Sequence, residues 1–177
     1  MAETALVVLF PELEPLIGEL HRRHTPGGAE GLGPHATLIV PFADTPTGVE
    51  ALDLVARTVA QFPPFGVALS RMAVFPRAGD EPATLYLVPE PAEKLVALTE
   101  ALMRAFPEFP PYGGQFDEVV PHVTVAQGED ELLRQIERQV AAGLPVAAHA
   151  DRVWLVEHAP SGWRRRSAFP LIGSKPA

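Results

Sequence analysis

The chain contains no cysteine. That excludes a disulfide framework, a thiolate metal site and a cysteine nucleophile, and it fits a reducing, cytoplasmic setting. No Gly-x-Ser-x-Gly run is present either, which removes the serine nucleophile elbow of many acyl-transfer enzymes. No apolar stretch approaches the roughly 20 residues that a membrane-spanning helix needs, so no membrane association is expected. The stretch from Ala5 to Phe10 follows Glu3 rather than a basic cluster and runs into Pro11, so it reads as a buried strand and not as a secretory signal. Positive charge is scarce as well. Lys and Arg number 14 against 22 Asp and Glu, and the formal net charge of −8 opposes long-range capture of an extended nucleic acid.

What is there suits a globular α+β chain. At 177 residues with 47% hydrophobic and 20% charged side chains, the sequence can bury one full core but is short for two independently stable enzyme domains, so a single unit over 1–177 is expected. Twenty prolines and 14 glycines cut it into short elements. The periodicities predict helices over 11–24, 47–61, 91–106 and 129–142, and strands over 4–10, 35–42, 65–75, 84–88, 119–126, 145–157 and 165–171. A Gly/Pro loop is expected over 25–34, and 65–75 with 84–88 reads as a hairpin.

The chain also echoes itself. Pro34-His35-Ala36-Thr37-Leu38 and Pro121-His122-Val123-Thr124-Val125 share a proline, a His-x-Thr triplet and an aliphatic continuation. A strand sends alternate side chains to opposite faces, so His35 and Thr37 share one face while Ala36 and Leu38 share the other. The second copy divides in the same way. Two facing copies would build a four-residue site of two imidazoles and two hydroxyls. With unperturbed pKa values near 6.5, one imidazole can take a proton at neutral pH while the other gives one. Hydroxyls between them can donate to nonbridging phosphate oxygens. A phosphodiester asks for a base at the attacking oxygen, an acid at the departing one and donors between them.

The paired motifs resemble the duplicated His-x-Thr/Ser-hydrophobic signature of the two-histidine phosphoesterase superfamily, in its 2′-5′ RNA ligase-like branch. Ala73–Pro89 and Val153–Leu171 are similar to that family's central hairpin and closing strands. The resemblance implies a bilobal fold of two pseudo-symmetric antiparallel sheets lining a cleft, with helices outside. It also implies metal-independent hydrolysis or formation of 2′,3′-cyclic or 2′-5′ phosphodiesters, with His35 and His122 as the acid–base pair, in either order, and Thr37 and Thr124 as phosphate-binding hydroxyls. The acidity of the chain favours a small nucleotide or an RNA terminus as substrate. No cofactor and a monomer are expected. The rival readings are a nucleotide- or RNA-binding module that keeps the cleft without turnover, and a structural or partner-binding protein.

Trp163, Arg164 and Arg166 are candidates to stack on a base and neutralise phosphate, and Phe75, Arg77 and Tyr86 are candidates to line the cleft. In a strand, Arg165 would point away from Arg164 and Arg166. His21 and His24 read as solvated cations at a helix end rather than as a metal pair.

Overall fold

A computed structural model describes residues 3–42, 48–114 and 118–173. Its strands are β1 (Thr4–Leu9), β2 (His35–Ile39), β3 (Phe65–Phe75), β4 (Ala83–Glu90), β5 (Val123–Gly128), β6 (Val146–Ala150), β7 (Arg152–Ala159) and β8 (Gly162–Pro170). The helices are α1 (Glu14–His24), α2 (Pro26–Ala29), α3 (Val49–Val59), α4 (Glu93–Ala105) and α5 (Asp130–Ala141). All neighbouring strands are antiparallel, in the order β6-β3-β4-β5-β2-β1-β7-β8. No helix among the described residues is long and apolar enough to cross a membrane.

Alternation builds the sheet and helical periodicity covers it. Ala36 and Leu38 of β2, Leu85 and Leu87 of β4, Val123 and Val125 of β5, and Val153 and Leu155 of β7 face one way. There they meet Ile17 of α1, Val55 and Val59 of α3, Leu95, Leu98 and Leu102 of α4, and Leu133, Ile136 and Val140 of α5 in one buried cluster. The other face of the β1 side carries a second cluster of Ala5, Val7, Leu32 and Val156, with Leu9, Trp154 and Trp163 against it. β1 is therefore buried on both faces, which is why Ala5 to Leu9 is uniformly apolar instead of alternating.

The α+β class and the two matched halves are as expected, with one refinement. The two sheets are joined into one, four strands to each side of a seam where β2 and β5 pair through Ala36 and Val123. The run 145–157 is two strands, not one. The break falls at Asp151, whose backbone carbonyl accepts from Leu171 N and whose carboxylate holds the Arg152 guanidinium. β6 then edges one half beside β3, while β7 enters the other beside β1. The 25–34 loop holds the short α2. Thr25 caps it by accepting from Gly28 N at 3.0 Å and ties it to α1 by donating to the His21 carbonyl at 2.8 Å. The expected helix start at Thr47 lies outside the described residues; α3 begins at Val49.

Candidate active site

The seam brings the two histidine–threonine pairs together. Ala36 and Val123 are antiparallel partners, which sets His35 level with Thr124 and His122 level with Thr37 across the two strands. His35 and Thr37 are half-buried between buried neighbours, and Thr124 alternates with buried Val123 and Val125. His122 sits half-buried at the entrance to β5. Neither imidazole is sealed in the core.

Both rings are held in the same way. His35 Nδ1 lies 2.8 Å from the Gly33 carbonyl, and His122 Nδ1 lies 2.8 Å from the Val120 carbonyl, each two residues back along the chain. A carbonyl oxygen can only accept, so Nδ1 carries the hydrogen in both rings. Nε2 is then the basic nitrogen of each neutral imidazole and the second donor of each imidazolium.

Burial pushes His35 down to about 4, against the Gly33 carbonyl, which favours the charged ring; charge on His21 or His122 would lower it further. Burial also lowers His122, with the Val120 carbonyl opposing it. Both rings are thus neutral near pH 7 in the free protein. His21 contradicts the expectation of a solvated cation: it is 2% exposed and lies edge-on against His35, ring centroids 5.8 Å apart. Burial lowers its pKa as well. Its Nδ1 is 3.3 Å from Thr25 Oγ1, and the backbone carbonyls of Leu32 and Thr124 oppose the lowering by favouring the charged ring. Gly28 must be glycine here, because a Cβ would collide with the His21 carbonyl and ring.

The remaining candidates divide. Phe75 and Tyr86 do reach the site: they stack on each other with centroids 4.1 Å apart, and both present faces or edges to His122 at 5.0 and 5.6 Å. Arg77 turns outward to Glu129, at 2.5 Å. Trp163 packs at the margin of the second cluster, beside His158. Arg164 and Arg166 are not on the histidine face. Both bind the buried carboxylate of Glu157, Arg164 Nε at 2.7 Å and Arg166 Nη1 at 2.8 Å. Glu157 is the partner of Thr4, one residue out of phase with Val156, which faces the second cluster. The two arginines were expected at the ligand face because strand alternation separates them from Arg165 without saying which side is which. Pairing with β7 settles it: Arg165 partners Val156 and stands over Trp154, with its guanidinium carbon 5.0 Å from the ring centroid.

Sequence reasoning therefore did not place His21 against His35 or Arg165 over Trp154. A signal for His21 existed. Leu13, Ile17 and His21 follow one another at steps of four, so His21 continues the apolar stripe of the first helix. A hollow of about 460 Å³ lies elsewhere, against Met103, Arg104, Phe106 and Pro107, and touches none of the motif residues.

The family model of the 2′-5′ RNA ligase superfamily matches residues 9–162. Comparison with curated protein sequences gives no match. Among solved structures, the Thermus thermophilus protein TT0787 is similar, with a TM-score of 0.66 and 20% identity over 98% of this chain and 100% of its own. LigT of E. coli complexed with 3′-AMP matches with a TM-score of 0.60 and 14% identity, over 96% of this chain and 97% of its own. LigT complexed with NADP+ matches with a TM-score of 0.57 and 16% identity, over 96% of each chain.

Proposed function

The chain belongs to the 2′-5′ RNA ligase superfamily, and from that premise we propose that it is an enzyme of 2′,3′-cyclic or 2′-5′ phosphodiester bonds in small nucleotides or RNA termini. His35 and His122 are its acid–base pair, Thr37 and Thr124 hold the phosphate, and no metal takes part. The observation that carries this reading is the seam: two His-x-Thr strands paired through Ala36 and Val123, each imidazole fixed by the same Nδ1-to-carbonyl bond. The nucleotides bound by the two LigT structures support a small substrate.

His35 is the base in the hydrolytic direction. Held near 4, its ring stays neutral throughout the physiological range. Nε2 of His35 takes the proton of an attacking water as the new P–O bond forms. One ring P–O bond breaks, and His122, protonated in the complex, delivers its Nε2 proton to the departing ribose oxygen. The bound phosphate anion offsets the lowered basicity of His122 by favouring its charged form. Thr37 and Thr124 donate to the nonbridging oxygens, which gain charge in the transition state. Bond formation in the reverse sense exchanges the two roles.

Alanine at His35 or His122 removes one positioned proton transfer and lowers turnover of a 2′,3′-cyclic nucleotide by about 10²–10⁴-fold with an unchanged circular-dichroism spectrum. Near-wild-type rates in either variant, or activity lost in EDTA and restored by zinc, overturn the reading. Saturable binding by the wild type without product assigns the chain to the binding-module alternative.

A further inference from the structure

We infer that Trp154 and Arg165 form the shelf on which the nucleobase of the substrate stacks. The inference rests on the phosphodiester reading above and adds to it the side of the seam on which the nucleoside lies.

Strand register supplies the placement. Val7 of β1 partners Thr37 on one side and Trp154 on the other. Residues opposite one another in antiparallel strands project from the same face, so Thr37, Val7 and Trp154 form one row. Neighbouring strands are about 4.8 Å apart, which puts Trp154 roughly 10 Å from Thr37 across the sheet. That is about the span of one nucleoside measured from its phosphate.

The chemistry of the shelf fits that occupant. Trp154 is half-buried, and its neighbour Arg165 is exposed with its guanidinium over the indole. Arg164 and Arg166 are committed to Glu157, whereas Arg165 has no carboxylate partner among the described residues. On the face that carries Thr37 the shelf thus sets an exposed guanidinium on an indole, a cation–π pair that a nucleobase can extend by stacking next to its phosphate. The opposite half offers no equal. Phe75 and Tyr86 already stack on each other, and Tyr86 is 8% exposed. Arg77 on that side is committed to Glu129. Stacking on a ring face is tolerant of base identity, so purine and pyrimidine nucleotides bind the same shelf.

Two measurements test this. In the first, the wild type, Trp154→Ala and Arg165→Ala are assayed with a 2′,3′-cyclic nucleotide and with the base-free methyl riboside 2,3-cyclic phosphate. Trp154→Ala raises KM for the nucleotide about tenfold with kcat held within about twofold, and leaves the base-free substrate unchanged. Arg165→Ala raises the nucleotide KM less, and Trp154→Phe restores part of the loss. In the second, Trp163→Phe makes Trp154 the sole tryptophan, since the chain has 2, and its fluorescence is followed during titration with a nucleoside 3′-phosphate. Saturable quenching supports the shelf whether or not the chain turns over. No quenching, an unaltered nucleotide KM in Trp154→Ala, or equal loss on both substrates overturns it. Absence of turnover by the wild type together with quenching overturns the enzymatic reading and leaves the shelf standing.

Discussion

At the scale of single residues, the proposed chemistry comes down to two Nε2 atoms made comparable by backbone and different by surroundings. The Gly33 and Val120 carbonyls give both rings the same tautomer. Their neighbours then separate them: His35 has a second, buried imidazole against its ring, while His122 has the Phe75–Tyr86 pair. A charge arriving on His21 would disfavour charge on His35, so the buried ring supports the neutral, basic form of its neighbour. A pH dependence follows from the directions of these shifts. The base must be unprotonated, so kcat/KM falls as pH drops through about 4, the value for His35. The acid must be protonated, so kcat/KM falls again as pH rises through the value of His122, which burial holds below 6.5. The expected curve for kcat/KM is a bell centred on the acid side of 6.5. In kcat the alkaline limb moves upward, because bound phosphate favours the charged His122. A bell centred above pH 7 in kcat/KM contradicts the assignment of base and acid.

At the scale of elements, β7 and β8 perform two tasks on their two faces. One face carries Trp154 and Arg165. The other carries Glu157, 6% exposed, clamped by Arg164 and Arg166 from the adjoining strand and held below its ordinary value by those two guanidinium groups. Glu157→Gln keeps the shape of the side chain but removes the charge that both arginines address. The expected result is a melting temperature lower by a few degrees with KM and kcat for a cyclic nucleotide unchanged. A raised KM would mean that the arginine ladder reaches substrate after all. This division of faces also shows what could be read in advance. Alternation is local, so the outward pairing of His35 with Thr37, and the separation of Arg165 from its neighbours, are legible from the residues alone. Which face of β8 looks toward the histidines depends on its register with β7, which shifts between Leu155 and Val156. No periodicity within β8 contains that information. The break at Asp151 was hidden for a related reason: its one local mark is that Asp151 and Arg152 set two polar residues side by side, while the pairing of the two pieces with strands far apart in the sheet is long-range. The joining of β2 to β5 is likewise a long-range pairing, visible in the sequence only as two similar motifs.

At the scale of the whole molecule, the same burial that tunes the site makes folding sensitive to acid. His21, His35 and His122 all have lowered pKa values in the folded chain. In the unfolded chain they bind protons near 6.5, so between that value and the folded ones the unfolded state holds more protons and stability rises with pH. Their contribution is complete above about pH 6.5 and drains away as pH falls. For His35, dropping from 6.5 to about 4, the loss is on the order of 3 kcal/mol once pH 4 is reached. Asp151 and Glu157, lowered by their arginine partners, add the same sign at still lower pH. Net charge works in the opposite direction. At −8 near neutrality, with a pI of about 5.2, the chain loses self-repulsion as acid is added. That repulsion acts between exposed, screened groups, whereas the histidine effect belongs to buried rings, so the histidines decide the outcome. The melting temperature should therefore fall steadily from pH 7 to 4.5 and pass through the isoelectric point without a maximum. The slope should be shallower in His35→Asn, which has no proton to gain there. A peak in stability near pH 5 would show that surface repulsion outweighs the buried imidazoles.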